Sequence, residues 1–243
     1  MKLTKNIEIL GDWMREAIII FTRVPIPGQT KTRLQSFLTK EQCAEIHKNF
    51  LKDIKHTCEK LKRDIFVFYT PVDKNNLLKS IFGDKFKYKI QEGNDLGEKM
   101  YNAIEYVLGK KYNSCILIGT DIPFLKEEDL RKAFKVLRKK DIVLGPTVDK
   151  GYYLVGMKRP IKTVFENVEY GYGNVLDDTI ASIKGSNLTY GLTNKNVDID
   201  EKEDLVYFYN EIKKENVSKN MHTSKFIINI IEEYDRECLG LTV

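Results

Sequence analysis

Histidine is scarce in this chain: His47, His56 and His222 are the only three among 243 residues. A Ser-His-Asp or Cys-His catalytic set has little to draw on, and no G-x-S-x-G turn exists to seat a nucleophilic serine. His47 and His56 are expected on the polar side of the first long helix, and His222 in a linker. Four cysteines (Cys43, Cys58, Cys115, Cys238) lie far apart without a C-x-x-C pair. A zinc ribbon or disulfide framework is therefore not indicated, and a reduced, cytoplasmic protein is expected. Cys43 and Cys58 fall at apolar helix positions and Cys115 within a strand, where core roles are expected. No apolar run approaches the roughly 20 residues of a membrane span. Met1 to Glu16 lacks the apolar stretch of a signal peptide. Charge of one sign is also lacking, since 40 basic against 35 acidic residues leave only +5. Without a basic stripe interleaved with aromatics, neither nucleic acid nor membrane is an expected partner.

What the chain does have is alternation. Ala17–Phe21 is a β-branched run that reads as a buried strand. Thr39 and Gln42 then make a T-x-x-Q capping box before a helix carrying Cys43, Ile46, Phe50, Leu51, Ile54, Cys58 and Leu61 on one face. Asp64–Tyr69 reads as a strand, Leu77–Phe82 as a short helix and Tyr88–Ile90 as a strand. Asp95 with Glu98 caps a helix with Leu96, Met100, Ala103, Ile104, Val107 and Leu108 inward. Ser114–Gly119 is the most uniformly apolar strand and is expected at the centre of the sheet. A helix with Leu130, Ala133, Phe134 and Leu137 inward and a strand at Ile142–Leu144 follow. Gly151–Gly156 reads as an antiparallel partner, and helices are expected near Val175–Ile183 and Glu201–Lys214. Apolar, non-alternating strands interleaved with helices predict a three-layer α/β/α sandwich around a mostly parallel mixed sheet. Residues 1–16 read as an extension and 17–215 as one domain. Residues 216–243 read as a linker and an amphipathic helix bearing Phe226, Ile227, Ile230 and Ile231, which would serve equally in a homodimer.

In an open α/β sheet, ligands bind beyond the carboxyl ends of the strands. Thr22 to Leu34 lies there, packing Arg23, Lys31 and Arg33 with Thr22, Thr30 and Thr32 around Gly28. Such a donor-rich, cationic loop suits a phosphate or pyrophosphate. It has neither the P-loop nor the G-x-G-x-x-G spacing. Asp121 follows a buried strand as Gly119-Thr120-Asp121, where a divalent cation would bridge to a nucleotide. Its alternative role is an N-cap, with Pro123 near a helix start. Asp149 and Lys150 precede Tyr152 and Tyr153, which alternate in facing, so at most one tyrosine is expected at the cleft. Asp198 and Asp200 would share one side, one capping the next helix and the other reaching a metal.

Four ordered segments carry a resemblance over Ala17 to Asp204: FTRVPIPGQTKTRL, QEGNDLGEKM, LIGTDIPFL and VLGPTVDKGYYLVG. Together they resemble a bacterial group of small GT-A-fold proteins of the nucleotide-diphospho-sugar transferase kind (DUF2064-like). That group has relatives described as arsenosugar-type glycosyltransferases and kin among molybdenum-cofactor and phospholactate guanylyltransferases. The resemblance implies that Lys31 and Arg33 hold a nucleotide pyrophosphate with help from Arg23, and that Asp121 holds Mg²⁺ or Mn²⁺. It also implies that Asp95 and Gly97 line the nucleotide pocket and that Tyr152 lies on the acceptor side. Lys150 departs from the group's glycine, and in Glu169–Tyr172 a tyrosine stands where many members have tryptophan. The implied activity is metal-dependent transfer from a nucleotide-sugar to a small acceptor, with Asp121 and Lys31 central. Nucleotidyl transfer from a nucleoside triphosphate is the first alternative, and nucleotide binding without turnover the second.

Overall fold

The computed structural model describes residues 15–171 and 174–233. In chain order the elements are β1 (Glu16–Arg23), α1 (Lys40–Glu59), β2 (Asp64–Thr70), α2 (Asn75–Phe82), β3 (Lys87–Ile90), α3 (Leu96–Leu108) and β4 (Ser114–Ile118). Then come α4 (Glu127–Leu137), β5 (Ile142–Pro146), β6 (Tyr152–Met157), α5 (Val175–Gly185), β7 (Tyr190–Leu192), α6 (Lys202–Lys213) and α7 (His222–Glu233). The strands make one sheet in the order β3-β2-β1-β4-β6-β5-β7, with β4 at its centre. β1 pairs in parallel with β2 and β4, as do β2 with β3 and β5 with β7. Only β6 among these runs antiparallel, to both β4 and β5.

Helices cover both faces, which is why β1 and β4 tolerate no polar alternation. On one face Ile18, Ile20, Ile116 and Ile118 pack against Leu51 and Ile54 of α1, Leu78 of α2 and Leu130 of α4. On the other, Ala17, Ile19, Cys115 and Leu117 meet Met100 and Ile104 of α3 and Ile183 of α5. A third cluster lies off the sheet. There Cys43, Ile46 and Phe50 of α1 meet Phe208 and Ile212 of α6 and Ile227 and Ile231 of α7. The side chains of each such cluster are removed from water, the main favourable term in folding.

Local chemistry sets the boundaries. Thr39 and Gln42 form the reciprocal box at the start of α1. Asp95 accepts from Glu98 N at 2.7 Å at the start of α3, while the Glu98 carboxylate turns back to Asn94 N rather than to Asp95. Cys43, Cys58 and Cys115 are fully buried, and burial pushes the Cys58 and Cys115 thiols up.

Three expectations shift. β7, a three-residue strand with Gly191 at its middle, gives no sequence signal. α4 starts at Glu127, so Asp121 is not its cap. α7 starts at His222, inside the stretch expected as linker, because Asp53 of α1 accepts from His222 N at 3.0 Å and from Thr223 N at 2.8 Å. Residues 1–14, Tyr172 and Cys238 lie outside the described residues.

Candidate active site

Parallel β1, β2, β3 and β4 deliver their carboxyl ends to one edge of the sheet. Antiparallel β6 delivers its beginning there. A cavity of about 800 Å³ opens at that edge, bordered by Arg23, Lys31, Arg33, Asp95, Asp121, Tyr152 and Asp200 among others. The cationic loop and the strand-end aspartate, 90 residues apart in sequence, therefore meet in space.

Lys31 is the centre of the charged end. Its backbone is left-handed (φ 48°, ψ 45°), which turns the side chain inward as a 3-10 turn begins. Only 3% of that side chain is exposed. The ammonium donates to Ile199 O at 2.6 Å and to Asp200 Oδ1 at 2.9 Å, and it pairs with Asp121 Oδ1. Arg33 reaches Asp200 Oδ2 at 3.6 Å. Ile199 N donates to Asp121 O at 2.8 Å, and the buried Ile199 side chain fixes the segment, so Asp200 lies beside Asp121. Burial alone would lower the Lys31 pKa, but the two carboxylates outweigh it and raise it.

Asp198 and Asp200 part company around Ile199. Neither caps α6: Glu201 is the N-cap, and Asp204 inside the first turn accepts from Asp200 N and Glu201 N. Asp198 does not border the cavity. Burial, with Asp149, Asp200 and Asp121 nearby, pushes its carboxyl up to about 6. Among the described residues, no three or more His, Cys, Asp or Glu side chains form a ready metal cluster.

Behind the charges lies a neutral polar cluster that the sequence reading did not foresee. His47 is not on the polar side of α1 but buried, 2% exposed, under the basic loop. Its Nδ1 is 2.5 Å from Thr30 Oγ1, and its Nε2 is 3.4 Å from Thr22 Oγ1 and 3.3 Å from Thr120 Oγ1. Burial, with Lys31 and then Arg23 nearby, lowers its pKa to about 3, so the ring is neutral. The spacing held a signal. His47 is four residues after Cys43 and four before Leu51, on the helix face that goes inward.

At the other end, Gln91 donates to Thr22 O at 2.9 Å and Phe68 O at 3.1 Å, clamping the ends of β1 and β2. Phe21, Leu96, Met100, Leu117 and Val155 give that end an apolar lining. Tyr152 OH lies 3.0 Å from Tyr170 OH, with the rings edge to face. Tyr152 and Tyr153 pack into opposite sheet faces, yet both border the cavity, against the expectation of one.

Gly28, Gly97 and Asp149 stand back from the cavity. Gly28 turns the loop at φ 79°. A Cβ on Gly97 would meet Phe165 O at 2.9 Å, so this glycine lets α3 close on the Phe165–Tyr170 segment. Asp149 accepts from Thr147 and from Gly151 N, holding the turn before β6. In that turn Lys150 adopts φ 69°, the left-handed conformation that glycine takes without strain.

No helix of the described residues is long and apolar enough to cross a membrane. The chain is 27% identical over 143 residues to a 2-phospho-L-lactate guanylyltransferase of Methanobrevibacter smithii, covering 58% of this chain and 62% of that protein. The chain thus spans under two thirds of this relative's length. A 2-phospho-L-lactate guanylyltransferase of Methanosphaera stadtmanae is 26% identical, with 87% of this chain and 90% of that one covered. Among solved structures, a protein of Desulfovibrio desulfuricans G20 described as a "putative nucleotide-diphospho-sugar transferase" superposes with a TM-score of 0.85. It is 27% identical, covering 91% of this chain and 99% of that one. The fold is therefore nucleotide-transferase-like, and residues 54–172 match the family described as "Uncharacterized protein conserved in bacteria (DUF2064)".

Proposed function

We propose that this chain is a metal-dependent transferase that grips a nucleotide by its phosphates, with nucleotidyl transfer to a small acceptor as the first reading. The observation that carries it is the Lys31 ammonium held where Asp121 and Asp200 converge, inside a cavity also bordered by Arg23 and Arg33. Two carboxylates reaching one cation fit Mg²⁺ or Mn²⁺, which commonly takes one or two carboxylates and completes its shell with substrate phosphates. Asp121 and Asp200 would hold it, rather than Asp198. A divalent ion so held neutralises charge that develops on phosphate oxygens as a bond to phosphorus breaks.

The chain's own groups do the rest. Lys31, Arg33 and Arg23 bind phosphate oxygens, and Lys31 exchanges its carboxylate partners for them. Three cations match a triphosphate better than a diphosphate, and the guanylyltransferase names of the two curated relatives support the same reading. Asp95, Gln91 and Tyr152 border the same cavity; in this reading the first two would meet the nucleoside and Tyr152 the acceptor. A second reading, sugar transfer from a nucleotide-diphospho-sugar, is favoured by the uncharged Tyr152–Tyr170 pair and by the description of the Desulfovibrio protein.

Product analysis separates the two. The chain is incubated with Mn²⁺ and each nucleoside triphosphate, using 2-phospho-L-lactate as a trial acceptor, and in parallel with nucleotide-diphospho-sugars. Metal-dependent pyrophosphate release supports the first reading, and nucleoside diphosphate release the second. Failure of every nucleotide to turn over or to raise the melting temperature would overturn both.

A further inference from the structure

The three threonines around His47 share a feature of position. Thr22 immediately precedes Arg23, Thr30 precedes Lys31, and Thr120 precedes Asp121. They come from three separate pieces of chain: the end of β1, the basic loop and the end of β4. One ring from a fourth piece, α1, touches all three hydroxyls.

One arrangement of protons satisfies the cluster as follows. Thr22 Oγ1 donates to Arg23 O at 2.8 Å, which leaves its lone pairs to accept. Thr120 Oγ1, 3.1 Å away, then donates to Thr22. Nε2–H of His47 donates between Thr22 and Thr120, and Nδ1 accepts from the Thr30 hydroxyl. In that arrangement Nε2 carries the ring proton, since Thr22 has no second proton to give. Phe50 closes one side of the ring at 6.5 Å, edge to face. The imidazole is thus held through both ring nitrogens, 2% exposed in the wall of the cavity.

We infer that His47 is a positioning residue for the phosphate site, the pivot that holds Arg23, Lys31 and Asp121 at one fixed spacing. The inference rests on the phosphate-binding reading above. Without the pivot the loop still closes over Leu34, but Thr30 loses its anchor, and Lys31 is no longer fixed relative to Asp121. Partners that orient groups in direct contact with a ligand typically cost about tenfold or more in affinity when removed.

Inorganic tripolyphosphate with Mn²⁺ tests this without knowledge of the base or acceptor. Binding is followed by calorimetry well below the melting temperature for the wild-type chain, His47→Phe, Thr30→Val and the double variant. The expected result is a loss of about tenfold in His47→Phe, a smaller loss in Thr30→Val, and no loss in the double beyond that of His47→Phe, because removing the ring already removes the Thr30 hydrogen bond. His47→Gln, with one donor and one acceptor, is expected to recover part of the affinity. If His47→Phe does not fold, Thr30→Val and His47→Gln carry the test. Wild-type affinity in Thr30→Val and His47→Gln, or in a folded His47→Phe, would overturn the positioning role even if melting temperatures fall. A wild-type chain that binds no tripolyphosphate would instead overturn the phosphate site itself, and the inference with it.

Discussion

Two polar clusters stand back to back at the carboxyl edge of the sheet, and they are built on opposite principles. The outer one is ionic: Lys31 with Asp121 and Asp200, whose carboxylate side chains are 52% and 33% exposed. The inner one is neutral: His47 and three buried threonines. Charges kept at the water's edge can exchange partners when a ligand arrives. Buried hydroxyls and an imidazole that bond one another in the cavity wall do so only at a cost, since buried polar groups are costly to unpair. The outer cluster is suited to exchange and the inner one to constancy.

The comparison is broken most sharply at Asp121. Asp121→Asn keeps the shape and removes the charge, and turnover is expected to fall by about a thousandfold, the scale of losing a main electrostatic contact in a transition state. The melting temperature stays within a few degrees because that carboxylate is half exposed. Product assay and thermal unfolding together check this, and unchanged turnover would remove Asp121 from the site.

Lys31→Met tests exchange directly. It leaves Asp121 and Asp200 without their cation, so Mn²⁺ without nucleotide is expected to bind more tightly than to the wild type, by about tenfold, while tripolyphosphate binds more weakly. Electron paramagnetic resonance of free Mn²⁺ reads the first and calorimetry the second. Weaker Mn²⁺ binding in the variant would mean that lysine and metal do not share the carboxylates.

The smallest effect belongs to the inner cluster and appears in stability. Unfolded His47 takes up a proton below its ordinary value of 6.5, whereas folded His47 does so only below about 3. Between those values the unfolded state binds more protons, so stability falls as pH drops through 6.5 and levels off near 3. At pH 5 the loss from this group is about 2 kcal/mol. His47→Gln should lack that component of the acid slope. Parallel denaturation curves for the two proteins at pH 7 and pH 5 would refute the buried neutral ring.

Much of this was legible in the sequence, for identifiable reasons. The uninterrupted apolar runs gave β1 and the central β4, and side-chain chemistry at Thr39 and Asp95 gave the helix starts. Lys31, Arg33 and Asp121 stood out because charge follows directly on buried strands. The misses are equally physical. His47 looks polar by residue type, and only its partners, 17 to 73 residues away, make it a core residue. Asp200 could be separated from Asp198 only through the backbone bond from Ile199 to Asp121. β7 is too short, and glycine too featureless, to register a period.

The reversed strand β6 carries a last consequence, for how such a protein diversifies. Four parallel strands reach the cavity with their ends and continue into the segments that lead to the next element. β6 reaches it with its first residues, straight out of the five-residue turn Thr147–Gly151 that Asp149 pins. Tyr152 is therefore set by a hairpin that can be rewritten, lengthened or grafted from a relative without disturbing the ladder of β1 and β4. On the transferase reading proposed above, a library confined to residues 147–152 would be expected to vary acceptor choice while leaving the phosphate grip intact.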